Sequence, residues 1–391
     1  MASPLFLSYG WSDGSPPPVA EELDRLLRLR GVPMWRDLRD LGAGGLNEEV
    51  AGAAIRDECC GCILHFTEQV LDSWFIGSVE LEAVRHRLDR DEGFFLAAVF
   101  DGVGEEQIES LENEAGLNLR AFQGLFLDPD KDTDEQLEVF SGQLLRRYLG
   151  GVEIGQPTAR VDSWGRIPWS DMAPIQLNWA GEDGEDGQLP ADWETLKRAI
   201  ADLRAALGEL TTERLLQVSG NAHLAAAFLI GWEFRETTGW TIGADHPRAG
   251  VTVTATRPDP QGWTITPLPS QNDSGSIVVR VCASADCSRA VRTHRAEIDR
   301  ARVELAVFPP GGEAGRFSAD ELDLNGLAAA IVASIRTCRE RYGVEVTELY
   351  LASPWTLALT LGWNFASSGA LVVHEATADK STYHPTPLRL P

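Results

Sequence analysis

The sequence predicts an α/β protein with mostly parallel sheets, divided into two or three domains. Short apolar segments alternate with helical segments in the first 150 residues, and one strand–loop–helix–strand–loop–helix unit occurs twice in the remainder. Strands that alternate with helices favour a parallel sheet that is covered on both faces. The length of 391 residues is more than one ordinary domain needs, and the apolar fraction of 43% is sufficient for a full core.

Residues 1–150 are predicted to form the N-terminal domain, which begins with a short buried strand at 4–9. A helix starts after the three prolines at 16–18 and ends at Gly31, because glycine tolerates the left-handed conformation that closes many helices. The remaining predicted strands are 32–35, 62–66, part of 93–100 and 124–127, and the remaining predicted helices are 48–56 and 134–149. This alternation indicates one parallel sheet with helices on either side.

The C-terminal domain, predicted at residues 174–391, contains an internal repeat with an offset of 131 residues. The segment FLIGWEF at 228–234 corresponds to LTLGWNF at 359–365. The preceding elements also correspond: strands 175–179 and 304–308, helices 193–207 and 324–342, and strands 215–218 and 349–351. The units 174–300 and 301–391 therefore predict two fused Rossmann-like halves, in which the Gly-Trp pairs pack helix against sheet. A Gly/Pro-rich linker is predicted at 151–173.

The composition restricts the classes of partner. A net charge of -25 opposes binding to DNA or to an anionic membrane surface, so neither is expected as a partner. No apolar stretch reaches the ~18 residues that a membrane span requires. The six scattered cysteines, without a signal peptide before them, are expected to be reduced thiols in the cytoplasm.

Six short motifs follow one another in the first part of the chain. They are LFLSY at 5–9, GVPMWRD at 31–37, LGAGG at 41–45, CILHFT at 62–67, Ser73-Trp74 and Glu80-Leu81. Their order resembles that of a TIR domain over about residues 3–150. The resemblance implies a flavodoxin-like fold with a parallel sheet, and it implies an enzyme that cleaves NAD+ at the nicotinamide–ribose bond.

The resemblance implies that one glutamate is catalytic, and Glu80 fits best because ELEAV at 80–84 has the Glu-aliphatic-x-x-aliphatic pattern. Trp74 lies six residues before Glu80, whereas the family usually has four, so Glu82 is the second choice. A carboxylate suits the reaction because it stabilises the positive charge of an oxocarbenium-like transition state. The structural alternative is a glutamate that only complements the helix dipole. The implied substrate-binding residues are Tyr9, Gly10, Asp37 and Trp74.

No metal site is predicted. Cys59 and Cys62 have the C-x-x-C spacing, but no second pair lies at ligand spacing in this domain, so both are expected to be core thiols. The Gly-x-Ser-x-Gly spacing at 10–14 is followed by prolines rather than by a helix, which favours a plain loop over a hydrolase nucleophile.

The repeat includes YLASPWTLAL at 350–359, Gly362, and a tail from His374-Glu375 to Tyr383. Together these resemble a SAVED domain, a fused pair of CARF-like Rossmann halves, over about residues 165–391. The resemblance implies a sensor that binds a cyclic oligonucleotide as activator. Cyclic oligoadenylates, often cyclic tri-adenylate, are the activators of this family.

Each half contains a strand that runs into a helix start at a turn of small residues, 219–222 in one and 352–355 in the other. Free amides at such turns attract phosphate, and aromatic side chains at strand ends can stack on a base. The candidate ligand-binding residues are Trp179, Ser219, Asn221, Ser353, Trp355, Lys380 and Tyr383. The structural alternative is that the tryptophans belong to the core and the serines cap helices.

The combination resembles the TIR-SAVED effectors of bacterial CBASS anti-phage defence. The resemblance implies that a cyclic oligoadenylate drives self-association into an oligomer or filament, with the loop 41–47 completing the NAD+ site. NAD+ would be hydrolysed to nicotinamide and ADP-ribose as a substrate, and no resident cofactor is expected. Two alternatives remain open: a non-catalytic TIR adaptor recruited by a nucleotide sensor, and a second domain that degrades the activator.

Overall fold

The structure is a computed structural model. It describes residues 3–10, 15–35, 47–68, 79–152, 155–163, 173–179, 192–245, 262–269, 275–295, 301–309, 324–365, 369–377, 379–384 and 387–391, without the side chains of 47–48, 114–115 and 245. Asp37, Trp74 and the predicted loop 41–46 lie outside these residues.

The chain forms two compact units. The first comprises Met1–Gly155, Ile167–Asn178 and Ala205–Thr212, and the second comprises Gln156–Arg166, Trp179–Arg204 and Glu213–Pro391. Two hydrogen bonds attach the segment around β7 (Ile175–Asn178) to the first unit. Gln176 N donates to Gly31 O at 2.8 Å, and Tyr148 Oη donates to Pro174 O at 2.8 Å.

The first unit contains a parallel sheet with the strand order β2-β1-β3-β4-β5. Its strands are β1 (Leu5–Tyr9), β2 (Met34–Trp35), β3 (Gly61–Thr67), β4 (Phe95–Asp101) and β5 (Gln123–Phe126). Its helices are α1 (Pro18–Leu29), α2 (Asn47–Ala53, continued as a π-helix over Ala54–Glu58), α3 (Leu81–Leu88), α4 (Glu105–Ala115) and α5 (Thr133–Gly151). In the central strands β3 and β4 nearly every residue is buried, as expected for a sheet covered on both faces.

Helix α1 ends at a left-handed glycine, as the sequence predicts. Gly31 has φ +86°, and Val32 N donates to Leu27 O at 3.0 Å to close the last turn. The site also needs glycine for space, because a Cβ on Gly31 would lie 2.5 Å from Ile175 Cγ2. Gly31 therefore both ends α1 and allows the chain at β7 to approach.

The second unit contains two groups of parallel strands. In one, β8 (Leu215–Asn221) pairs with β6 (Thr158–Asp162) on one side and β9 (Thr241–Asp245) on the other. The other is a sheet with the order β10-β12-β11-β13-β14-β15, antiparallel only at its two edge pairs. Its strands are β10 (Thr264–Pro269), β11 (Ser276–Cys282), β12 (Ala301–Phe308), β13 (Thr347–Ala352), β14 (Leu371–His374) and β15 (Leu388–Leu390). The helices that follow β7 in the chain are α6 (Trp193–Leu210), α7 (Leu224–Glu233), α8 (Ser288–Arg295), α9 (Leu324–Tyr342) and α10 (Trp355–Asn364).

Strand β6 lies within residues 151–173, for which the sequence predicted only a linker. Its burial alternates, and Ala159 and Val161 are its two buried residues. Two apolar residues between Gly- and Pro-rich flanks are too weak a signal to distinguish a strand from a loop. The strand forms because it pairs with β8 over its whole length.

The repeated helices α7 and α10 pack directly against each other at two glycines. A Cβ on Gly231 would lie 2.0 Å from Leu359 O, and a Cβ on Gly362 would lie 2.1 Å from Phe228 O. The two glycines thus pack helix against helix, and for them the predicted packing of helix against sheet was wrong. Trp363 does reach the sheet region, because its Nε1 donates to Trp240 O, directly before β9, at 2.8 Å. Sequence spacing shows that a close approach is needed but does not identify the partner surface.

Within the described part of the chain, none of the helices has the length and apolar character needed to cross a bilayer.

Candidate functional site

Glu80 lies buried directly before α3, with an exposed fraction of 4%. Its carboxylate accepts a hydrogen bond from Ser8 Oγ, and Ser8 is itself buried in β1. The contact joins residues from two motifs, LFLSY and ELEAV, that are far apart in the chain. Ser8 was not among the predicted site residues; its only signal in the sequence is that it is a small polar residue inside an apolar strand.

Glu82 differs from Glu80 in its surroundings. Glu82 is exposed on the first turn of α3. Glu80 instead lies near the buried thiol of Cys62. Burial is the main cause that raises the pKa of this thiol, and the negative charge of Glu80 raises it further. Cys59 and Cys62 are both part of the apolar core that surrounds this face of the sheet. The geometry thus favours Glu80 over Glu82 as a group held in a defined position.

The other residues implied for the N-terminal site are only partly described. Tyr9 is buried and ends β1, and Gly10 follows it half-buried. Side chains alternate along a strand, so Tyr9 and Ser8 point to opposite faces of the sheet. Asp37 and Trp74 lie outside the described residues.

The second unit contains a cavity of about 390 Å³. Four segments form its wall: the start of α7, the start of α10, the turn between β11 and α8, and the tail after β14. The cavity contains five of the seven residues predicted to bind the ligand: Asn221, Ser353, Trp355, Lys380 and Tyr383. Residues of both repeat halves therefore meet at one site, and the site offers aromatic, amide, hydroxyl and cationic groups.

Trp179 and Ser219 are not part of the cavity wall. Trp179 directly follows β7, is 2% exposed, and its backbone N donates to Asp162 O at 2.9 Å, so the residue is part of the packed interior. Ser219 is half-buried within β8, which continues to Asn221, so most of the turn predicted at 219–222 is strand. Asn221 is the last residue of β8, and this position places it in the cavity wall.

A carboxylate occupies the start of α7. Ala225 N donates to Glu375 Oε2 at 2.7 Å, and the backbone of Leu224 also hydrogen-bonds this carboxyl group. Burial raises the pKa of Glu375 to about 7, against the opposing effect of these two amides. The amides that the sequence suggested for phosphate are therefore already engaged by an internal acid on this side.

His223, directly before α7, is held by Ser163. Its backbone N donates to Ser163 Oγ at 2.7 Å, and its Nδ1 lies 2.7 Å from the same oxygen. The start of α10 differs in its preceding residue, because Pro354 takes the place that His223 has before α7, and proline has no backbone N–H to donate. The two helix starts that face the cavity are thus chemically unequal, although their sequences are related by the repeat.

The charges around the cavity have both signs. Lys380 is exposed and takes φ +57°, with its backbone N donating to Thr377 O at 2.8 Å. Hydrogen bonds from Ser288 lower the pKa of Asp286, so this carboxylate is charged at neutral pH. The sequence did not indicate Glu375 or His223, because their partners Ala225 and Ser163 lie far away in the chain. Asp286 was also missed, although its partner Ser288 is only two residues away.

Residues 196–387 match the family model described as "SAVED: SMODS-associated and fused to various effectors sensor domain". This part of the chain is a SAVED domain, and all residues that line the cavity fall within it. No curated protein matches the chain.

Solved structures of Cap4 receptors are similar to the chain. The Acinetobacter baumannii Cap4 SAVED/CARF-domain containing receptor with the cyclic trinucleotide 3'3'3'-cAAA matches with a TM-score of 0.50 and 12% identity, over 83% of this chain and 86% of that chain. The same receptor with 2'3'3'-cAAA matches with a TM-score of 0.49 and 13% identity, over the same shares of both chains. At 12% identity the first likeness shows a shared fold.

Proposed function

We propose that the protein is a nucleotide-activated effector. Its SAVED domain binds a cyclic oligoadenylate, with cyclic tri-adenylate as the first candidate, and binding switches on NAD+ hydrolysis by an N-terminal TIR domain. The observation that carries this proposal is the cavity in which Asn221, Ser353, Trp355, Lys380 and Tyr383 meet at the starts of the two repeated helices.

The groups around the cavity suit a cyclic oligoadenylate. Trp355 and Tyr383 are aromatic residues of the cavity wall, 7% and 3% exposed, that suit contact with adenine, and the exposed Lys380 supplies a cation for a phosphate. Asn221 and Ser353 supply donors and acceptors on opposite repeat halves, as a ring with repeated units requires. The solved relative with 3'3'3'-cAAA has a cyclic trinucleotide on the same fold, which supports the ligand class.

Two features support the TIR assignment in the first unit. The strand order β2-β1-β3-β4-β5 is the flavodoxin-like order, in which ligands bind beyond the carboxyl ends of the strands. Glu80 is buried beside Ser8 near the end of β1, so its carboxylate is desolvated and held in one orientation. A carboxylate of this kind stabilises an oxocarbenium-like transition state, while nicotinamide leaves as a neutral base.

The proposal is tested by nicotinamide release from NAD+ in the presence of cyclic di-, tri- and tetra-adenylates. We expect release by the wild-type protein only with its activator, and cyclic tri-adenylate is expected to be the most effective. Glu80→Gln keeps the volume and the contact with Ser8, and it should reduce release at least a hundredfold because the transition-state charge is no longer balanced.

The matched control is Glu82→Gln, which removes an exposed carboxylate two residues away and should retain wild-type turnover. Wild-type turnover by the Glu80→Gln protein would contradict the assigned catalytic residue. Binding of the activator by calorimetry without any nicotinamide release would instead favour a non-catalytic adaptor.

A further inference from the structure

Two cysteine thiols of the SAVED domain lie in contact beside the cavity. Cys282 is the last residue of β11, and Cys287 lies five residues later, directly before α8. Their Sγ atoms are 3.1 Å apart, and both side chains are buried. A disulfide bond has an S–S distance of ~2 Å, so a shift of about 1 Å would allow the two sulfurs to bond.

The environment favours the thiolate form of Cys282, whereas the contact between the two thiols raises the pKa of Cys287 well above its ordinary value. A hydrogen bond from the Cys287 thiol is the main cause that lowers the pKa of Cys282, and Arg280 contributes in the same direction. The thiolate is the reactive form of cysteine towards peroxides. Burial has the opposite effect elsewhere, raising the pKa of Cys60 to about 12 and that of Cys338 above its usual value.

The pair is also accessible to a small oxidant. Cys287 lines the cavity of about 390 Å³, together with Asp286 and Ala290 from the same turn and helix. A molecule the size of hydrogen peroxide in the cavity would therefore meet the pair from the side of Cys287, and the Cys282 sulfur, which is 0% exposed, lies 3.1 Å from that of Cys287. Cys59 and Cys62 lie instead in the apolar core of the first unit.

We propose that Cys282 and Cys287 are a redox modification site, in which a peroxide-class oxidant closes an intramolecular disulfide on the wall of the nucleotide cavity. The thiolate of the pair attacks one peroxide oxygen and releases hydroxide, which leaves a sulfenic acid. The second sulfur attacks the sulfenic sulfur, and water leaves with the remaining proton. Two thiols and one hydrogen peroxide thus give one disulfide and two water molecules, with both electrons taken by the peroxide.

The disulfide changes the cavity because its two ends are anchored unequally. Cys282 is fixed by backbone pairing of β11 with β12 and β13, whereas Cys287 belongs to a turn. The turn and the start of α8 must therefore make most of the shift. Cys287 also accepts a hydrogen bond from the Tyr383 hydroxyl, and the shift of Cys287 changes the geometry of this contact. This effect on nucleotide binding rests on the proposed function, whereas formation of the disulfide does not.

The first experiment treats the full-length protein with excess hydrogen peroxide and follows intact mass. We expect a loss of about 2 Da that dithiothreitol reverses, with a linked peptide containing Cys282 and Cys287 after digestion. Cys282→Ser and Cys287→Ser should each abolish the loss, whereas the matched control Cys338→Ser should retain it. An unchanged mass, a pairing with another cysteine, or a loss that persists in Cys287→Ser would overturn the assignment.

The second experiment measures nucleotide affinity and hydrogen exchange at the cavity wall, with and without the oxidant. We expect at least a fivefold weaker affinity for cyclic tri-adenylate after oxidation of the wild type, and no change in Cys287→Ser. Hydrogen exchange over residues 283–290 and 375–384 gives a readout that does not need the ligand, and oxidation should change it in the wild type alone. If hydrogen exchange in these segments is the same with and without the disulfide, the proposed change in the cavity wall is refuted. If hydrogen exchange changes on oxidation but neither form binds cyclic tri-adenylate, only the proposed ligand is refuted.

Discussion

Glu375 is the buried acid at the centre of the candidate site. It is 6% exposed, it hydrogen-bonds the first amides of α7, and it lines the cavity. Because the folded state raises its pKa from the ordinary 4.5 to about 7, the folded protein binds more protons than the unfolded chain between these values. The contribution of Glu375 to stability is therefore highest at low pH within this window.

We expect the free energy of unfolding to fall as pH rises from about 4.5 to about 7, by roughly 3 kcal/mol if Glu375 acts alone. Glu375→Gln should remove this slope because the amide does not ionise in the window. Urea unfolding at pH 5 and pH 8 measures the difference, and Glu82→Gln, at an exposed site, is the control. An identical pH dependence in the wild type and Glu375→Gln would show that this carboxyl does not titrate as described.

Lys380 is the cation that sequence analysis and structure both place at the cavity. Lys380→Met keeps the length of the side chain and removes its charge, so we expect the affinity for cyclic tri-adenylate to fall about tenfold, the loss of one charge-assisted contact to phosphate. Calorimetry at low and at physiological salt measures the effect. The control is Lys131→Met, an exposed lysine of the first unit. Equal affinities of the two variants would show that Lys380 does not contact the ligand.

At the scale of residues, sequence patterns identified those cavity groups that belong to turns after repeated strands. Ser353 and Trp355 are of this kind, because a strand followed by a helix start places them at the carboxyl edge of the sheet. Glu375 and Ser163 could not be found in this way, since their partners Ala225 and His223 lie far away in the chain. Long-range hydrogen bonds leave no periodic signal in the sequence.

Among the elements, the crossing of α7 and α10 depends on two glycines. The backbones approach so closely that a methyl group at Gly231 would meet a carbonyl oxygen at 2.0 Å. We expect Gly231→Ala to lower the free energy of unfolding by at least about 2 kcal/mol, because the two helices must separate. It should also weaken nucleotide binding, since both helices begin at the cavity.

Chemical unfolding of Gly231→Ala measures this effect, with Gly150→Ala as the matched control. Gly150 lies in the last turn of α5, and the nearest atom to its added Cβ is Leu210 Cδ2 at 4.0 Å, an ordinary contact. Alanine there should stabilise the helix slightly, by about 0.5–1 kcal/mol. Similar stabilities of the two variants would show that the crossing tolerates a side chain.

Most elements of the first unit were predictable because each has a strong local signal. Continuous apolar runs marked β3 and β4, and prolines followed later by glycine marked α1. Strand β6 was missed because its signal consists of two apolar residues, and its pairing partner β8 is distant in the chain. Pairing, which sequence periodicity does not record, decided the existence of that strand.

For the whole molecule, the proposed switch is a population shift towards an assembled state. If activator binding favours association, turnover per protomer should rise with protein concentration when the activator is saturating. Nicotinamide release at several protein concentrations measures the activity, and mass photometry at the same concentrations measures the degree of association. Activity that is independent of concentration, from a species with the mass of a monomer, would exclude assembly as the activating step.

The sequence by itself determined the α/β class, the repeat and the chemical types of residue at the helix starts, because these follow from local periodicity and composition. Only the tertiary structure decided that Asn221, Trp355 and Lys380 share one cavity, and that Ser8 contacts Glu80. It also decided that Glu375 occupies the amides of α7 and that Gly231 faces Leu359. These contacts join residues that are distant in the chain, and they arise from packing and pairing among whole elements rather than from the local pattern of any one of them.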